Sequence, residues 1–377
     1  PRLDSFAEIL RSKSLSESPR ADLAAVLTDQ YRALPESTPV HAHIEALRDT
    51  NTFTVTTAHQ PSLFLGPLYF LYKALTTINL AEAVQIRNPE YRIVPVFVLG
   101  SEDHDLEELN AIQLFGKKLV WQSPESGAVG SMHTASLAPV LAELKSILGE
   151  SEAAQALFLR IERAYAGTAT IAEATQAMLH DLFGRYGLVV LNMSDARLKR
   201  HFIPVMKAEI LEQASHRIVG HTIDQLNAAG FKTQAAPREI NLFYMLPGLR
   251  ERIVAAPGNE RSYLVLNTEL VFSETALLAE LDAHPERFSP NVVLPPLFQE
   301  TILPNLAYVG GGGELAYWLE RREQFQHFGI AYPMLVRRNS ALWLDREASK
   351  KLAKFGFTPA RFFGDTDALL RDFVERN

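Results

Sequence analysis

The run Thr57-Ala58-His59-Gln60-Pro61-Ser62-Leu63-Phe64-Leu65-Gly66-Pro67-Leu68-Tyr69-Phe70-Leu71-Tyr72-Lys73 gathers an imidazole, an amide, a hydroxyl and an ammonium where a strand should give way to a helix. Phe53 and Val55 alternate with Thr52, Thr54 and Thr56, the period of a strand built from β-favouring residues, and the pattern stops at His59-Gln60-Pro61. Gly66 allows a close turn. Pro67 suits the first helical position, where a missing N–H costs nothing, and Leu68 to Val84 continues as a helix. Free amides at such a helix start attract an anion. Lys73 sits about two turns in, and because helical side chains lean toward the N-terminus its ammonium reaches back to the same spot. A carboxylate or phosphate is the expected guest; the plainer alternative is a capped helix with one buried histidine and one snorkelling lysine.

A second junction carries acids. Ile93-Val94-Pro95-Val96-Phe97-Val98-Leu99 is an apolar run of strand length, typical of a strand covered on both faces. It runs into Gly100-Ser101-Glu102-Asp103-His104-Asp105. Parallel strands would put both polar loops on one edge. Glu102, Asp103, His104 and Asp105 suit an ammonium, hydroxyls, a hard cation or acid–base work. Asp105 with Glu108 also resembles a helix cap and its reciprocal partner, which leaves Glu102 and His104 unexplained. Gly187-Leu188-Val189-Val190-Leu191-Asn192 is a third buried strand with a polar exit, and Asp195 caps the next helix, whose Arg197, Lys199, Arg200 and His201 read as a solvated face.

A fourth junction is glycine-rich. Gly310, Gly311, Gly312 and Gly313 follow Tyr308-Val309 and precede Glu314-Leu315-Ala316-Tyr317-Trp318. No side chain there blocks a ligand lying against the backbone, and the following helix offers amides, which suits a nucleotide ribose or phosphate. No Gly-Lys-Ser/Thr follows, so this is not a P-loop. Glu314 either holds hydroxyls or caps the helix. Arg337-Arg338-Asn339-Ser340, after a strand from Ala331 to Val336, is the nearest basic loop.

Strand–helix alternation over residues 53 to 192 implies a parallel sheet with right-handed crossovers. Residues 122 to 135 read as a surface loop, with helices from about Leu137 to Gly149 and from about Ile171 to Phe183. From about Leu211 to Pro290 short elements separated by Pro and Gly suggest an inserted lobe. There Arg238, Asn241 and Tyr244 are three apart and share a face only on a helix; on a strand Arg238 and Asn241 face oppositely. Arg238 is either a bidentate carboxylate clamp or a surface arginine.

The 377 residues are 47% hydrophobic, enough for a sizeable core and two or three domains. No apolar run reaches the ~18 residues that span a membrane, and no basic start leads into an apolar stretch that would direct secretion, so the expected address is the cytoplasm. The net charge of −7 argues against a nucleic-acid footprint. With no cysteine there is no thiol nucleophile, disulfide or thiolate metal site. His216 and His221 are five apart, ~140° around a helix, and no His-Glu-x-x-His run occurs, so no tightly bound metal is expected.

The His59 and Glu102–Asp105 blocks, with Glu107 to Asn110, Pro237-Arg238-Glu239-Ile240-Asn241-Leu242-Phe243-Tyr244, Gln299-Glu300-Thr301-Ile302-Leu303-Pro304 and Ala307 to Trp318, resemble in order the bacillithiol biosynthesis cysteine-adding enzymes, over about residues 20 to 345. The resemblance implies an α/β fold: a Rossmann-like parallel sheet with helices on both faces, related to the class I aminoacyl-tRNA synthetase core, plus an inserted smaller lobe. The expected division is 1–210 and 291–345 for the core, 211–290 for the lobe and 346–377 for the start of a helical coiled coil. The implied activity is a ligase joining cysteine to glucosaminyl malate through an amide bond, with ATP or another nucleotide as cofactor and a homodimer when the coiled coil is present.

Carried onto this chain, the resemblance makes His59, Gln60, Lys73, Glu102, Asp103, His104 and Asp105 catalytic. His59 and Lys73 stabilise charge at the acyl or phosphate centre. The acids orient the amine, and one of them or His104 takes its proton. Gly66, Tyr69, Asn110, Arg238, Asn241 and Gln299 fall at the substrate, and Gly310 to Glu314 at the nucleotide. Two positions depart from the family pattern: Ala58 replaces a glycine, costly if φ is positive there, and Pro295 replaces an arginine. The family usually continues beyond Asn377, and Leu369 to Val374 reads as the opening of its helix; Pro1 in place of Met suggests trimming or renumbering. Other readings are a nucleotide-binding protein without ligase activity and a metal-dependent hydrolase using Glu102 to Asp105.

Overall fold

A computed structural model describes residues 3–234 and 236–376, so Pro1 lies outside the described residues. Five parallel strands form the central sheet, in the spatial order Met334–Arg337, Asn305–Gly310, Thr52–His59, Arg92–Leu99, Val189–Asn192. The chain starts in the middle, steps outward twice on one side, then returns to build the other side. This doubly wound order is Rossmann-like, and it places the switch point between Thr52–His59 and Asn305–Gly310, where such sheets open a crevice.

Both faces of the sheet are covered, which explains the apolar composition of its strands. Val94, Val96 and Val98 pack with Leu23, Val26 and Leu27 of the helix Glu17–Gln30, whereas Phe97 and Leu99 pack with Phe70, Ala74 and Ile78 of the helix Tyr69–Arg87. Thr54, Thr56 and Thr57 of the first strand are buried too, and hydroxyl bonds to the neighbouring strand satisfy them: Thr57 Oγ1 donates to the Val309 carbonyl at 2.7 Å.

Helices Ala138–Leu148 and Ile171–Phe183 match their sequence signals. A third, Glu152–Ala166, stands between them, and the 122–135 loop buries Val129 and Met132. An antiparallel sheet follows, ordered Phe288–Pro290, Leu242–Leu246, Leu249–Ala256, Asn259–Val265, Val271–Ser273. Its Leu242, Tyr244, Ile253 and Phe288 join the hydrophobic cluster under Val94–Val98. Residues 1–338 make one compact unit and residues 339–377 another, the latter holding helices Arg346–Lys354 and Thr366–Arg376.

Pro67 does not open the helix as its sequence position suggests. A short 3-10 turn, Leu63–Leu65, precedes Gly66-Pro67, and the helix runs Tyr69–Arg87 behind its N-cap Leu68. Gly66 is required by close approach rather than by a left-handed turn: its φ is −78°, and a Cβ would lie 2.8 Å from Ile112 Cγ2. Ala58 is ordinary extended strand paired with Val98, so its Cβ carries no backbone penalty.

Candidate functional site

Register aligns the strand exits. His59 pairs with Leu99, and Leu99 with Asn192, so the three polar loops leave the sheet side by side. They open on a cleft of about 710 Å³ lined by His59, Gln60, the whole run Glu102 to Asp105, Arg238, Arg250, Glu314 and Tyr317, with Phe243, Pro295 and Phe298 as apolar walls. The two junctions singled out in the sequence therefore share one hollow, and Glu314 from the glycine-rich junction joins them.

His59 lies against Tyr69 and Phe70, with ring centroids 5.6 and 5.0 Å away. Its Nδ1 is 3.0 Å from the Gln60 carbonyl. A carbonyl only accepts, so Nδ1 carries the proton and Nε2 keeps its lone pair. Burial, assisted by the Lys73 ammonium, lowers the His59 pKa to about 4. The imidazole is thus neutral near pH 7: an acceptor, not the cation that anion stabilisation calls for.

Lys73 is also not free to meet an anion. It is fully buried, donates to the Ala58 carbonyl and forms an ion pair with Glu314 at 2.6 Å. Glu314 accepts in addition from the Tyr308 hydroxyl at 2.8 Å and the Gly311 N–H at 2.8 Å. Burial opposes ionisation of Glu314, but Lys73 and these donors outweigh it and hold the carboxyl below its usual range. Glu314 therefore caps the helix Gly312–Leu319 and anchors Lys73.

The acidic run is braced as well. Asp103 accepts from the Gln60 amide at 3.0 Å; burial raises its pKa, but Gln60, backbone N–H groups and Arg250 outweigh this and leave it lowered. Glu102 pairs with Lys199 at 2.5 Å. Lys199 is buried, so that part of the expected solvated face is in truth the counter-charge of the cleft. Asp105 precedes a four-residue helix, Leu106–Leu109, and its side chain makes no cap, so the capping-box reading fails.

Arg250 has no signal in the sequence beyond a charge in a strand. It is nonetheless buried in the cleft wall: Nε donates to Ser289 Oγ at 2.9 Å, Nη2 to the Pro290 carbonyl at 2.9 Å, and Nη1 lies 2.5 Å from His104 Nδ1. A guanidinium only donates, so His104 Nδ1 accepts and its proton sits on Nε2. Burial and then Arg250 lower the His104 pKa, against Asp103 and Asp105. The two histidines hold complementary tautomers: His59 offers a lone pair, His104 an N–H.

Several expected ligand contacts are structural. Asn241 is fully buried, with Nδ2 2.5 Å from Glu209 Oε1; its Oδ1 supports Asn291, which lines the cleft. Tyr244 donates to Glu280 at 2.7 Å, away from Arg238. Gln299 is buried and donates to Thr56 Oγ1 at 3.0 Å. Neither Asn110 nor Gly66 lines the cleft: Asn110 ends the short helix, its carbonyl 2.7 Å from the Trp121 N–H. Tyr69 is partly exposed under Arg338, whose guanidinium carbon is 5.3 Å from the ring. Gly310 and Gly311 lie outside the cleft lining with Gly312 and Gly313. Gly310 is tightly packed, since a Cβ would meet the side chains of Tyr308, Leu315 and Glu314 at 3.0–3.2 Å, while Gly312 faces open space.

No helix among the described residues is long and apolar enough to cross a membrane. Residues 1–339 match the family described as Bacillithiol biosynthesis BshC, N-terminal Rossmann-like domain. Relatives provisionally named cysteine ligase BshC include proteins of Christiangramia forsetii (42% identical over 96% of this chain and 68% of the relative) and Flavobacterium johnsoniae (43% over 93% and 66%). A third, from Salinibacter ruber, is 34% identical over 94% of this chain and 66% of its own length. The chain thus spans about two thirds of these proteins.

Proposed function

The chain belongs to the bacillithiol biosynthesis BshC family, and from that premise we propose that it is a carbon–nitrogen ligase joining the carboxyl of cysteine to the amine of glucosaminyl malate. The observation that carries the reading is the convergence of the His59 loop, the Glu102–Asp105 loop and Glu314 on one cleft at the sheet's switch point.

A free carboxylate is a poor electrophile, so the acyl group must first be activated, most simply as an adenylate or acyl phosphate. The amine nitrogen then bonds to the acyl carbon, the C–O bond to the phosphate breaks, and the ammonium proton passes to a base. The His59 tautomer leaves Nε2 free to be that base, a role open also to the carboxylates of the Glu102–Asp105 run, with the His104 Nε2–H donating to developing negative charge. Asp103, held ionised by Gln60 and Arg250, orients the amine. Arg238 takes the role of carboxylate clamp in a cleft where Pro295 contributes only apolar surface.

On this reading ATP or another nucleotide is the cofactor, the protein works in the cytoplasm without nucleic acid, and a coiled coil pairs two copies. Kinship with the synthetase core belongs to the same proposal. Incubating the protein with cysteine, glucosaminyl malate and ATP and following mass tests it. A product heavier by one cysteinyl residue supports the ligase; no product from the complete protein overturns it, and nucleotide binding without glucosaminyl malate binding leaves a nucleotide-binding protein instead.

A further inference from the structure

A second hollow of about 680 Å³ lies at the same carboxyl edge of the sheet, outside strands Arg92–Leu99 and Val189–Asn192, and Ser194 lines both it and the main cleft. Within its lining Ser101 Oγ donates to Asn192 Oδ1 at 2.7 Å. The hollow's size suits a small-molecule site, roughly 300–1,000 Å³.

The charges around it are already satisfied. Glu173 Oε2 accepts from the N–H groups of Ala169 and Thr170, both at 3.0 Å, so the start of the helix Ile171–Phe183 is occupied by its own carboxylate and repels an anion. Asp29 takes Arg32 at 2.5 Å and Arg197 at 2.9 Å, leaving no free carboxylate for a cation. What remains is neutral: the hydroxyls of Ser131 and Ser194, and the amide of Asn192, whose oxygen is fixed by Ser101 and by the Ser194 N–H at 3.1 Å. With that oxygen fixed, the Asn192 NH₂ is the donor left for a guest.

We propose that this second cleft binds an uncharged, hydroxyl-rich molecule such as a sugar ring, beside the main cleft with which it shares Ser194. The assignment stands on this lining and not on the ligase reading. Hydroxyls match it because each both donates and accepts without bringing a charge that the paired side chains have no means to neutralise.

Titration calorimetry on the full chain, with methyl α-D-glucopyranoside as probe, tests it without any turnover. Saturable binding is expected, abolished by Ser131→Tyr, which fills the cleft from an exposed position, and weakened about tenfold by Ser194→Ala through loss of one hydrogen bond. Inorganic phosphate is expected not to compete. Absence of saturable binding, binding untouched in both variants, or displacement by phosphate would each overturn the assignment.

Discussion

Lys73 Nζ lies 2.6 Å from Glu314 Oε1, tying the helix that follows the first core strand to the helix that follows the glycine run. Lys73 is wholly buried and Glu314 about one quarter exposed, 27% at the side chain. Removing one partner leaves the other charge buried without its mate, so Lys73→Met is expected to lose about 3–5 kcal/mol. Glu314→Gln should lose less. The double variant should be more stable than the sum of the two losses predicts, as read by urea denaturation; strict additivity would contradict the coupling.

The state of His59 sets a pH dependence. Its ordinary value is 6.5 and the folded value about 4, so between these the unfolded chain binds the proton and the native one does not. Stability therefore rises with pH across that window and is lost as pH falls from about 6.5 to about 4, by ~3 kcal/mol at most. His59→Leu should flatten this part of a stability–pH curve. An unchanged slope would show that His59 is not held neutral by burial.

Arg250 and His104 make a spectroscopic prediction. Arg250→Ala removes the donor to Nδ1 and the second cause of the lowered pKa, so the His104 ring should titrate at higher pH in proton NMR. Asp103 loses one of its supports too, and its carboxyl should move up toward the ordinary range. Identical titrations in both proteins would rule out the contact.

Gly130 positions the acidic loop. Its N–H donates to the Ser101 carbonyl at 2.9 Å while the Val129 N–H reaches the Asp103 carbonyl at 2.7 Å, and a Cβ at 130 would stand 2.5 Å from that Ser101 oxygen. Backbone cannot yield as a side-chain tip does, so Gly130→Ala is expected to cost about 1–3 kcal/mol and, for the ligase reaction proposed above, to lower kcat more than it changes KM. A variant with wild-type stability and kcat would mean that the loop tolerates displacement.

The strands and their exits were legible because they depend on local pattern: continuous apolar runs covered on both faces, ended by polar residues. Where local signals misled, the chain's three-dimensional course decided otherwise. Pro67 falls one residue ahead of the N-cap Leu68, Asp105 caps nothing, and Lys199 leaves the solvated face because Glu102 calls it inward. Gln299 and Asn241 bear amides that suit a ligand equally well, yet buried Thr56 and Glu209 claim them first.

The amino-acid order alone determined the parallel α/β core and the carriage of His59, Glu102 to Asp105 and Glu314 at or just beyond strand ends, since side-chain period and chain polarity are properties of the chain itself. Which of those groups keep a free lone pair or proton was decided only by tertiary structure. Arg250 arrives from a strand 146 residues beyond His104, and Lys73 meets Glu314 across 241. Protonation and availability depend on burial and on the partner within about 3 Å, and neither distance is written in sequence spacing.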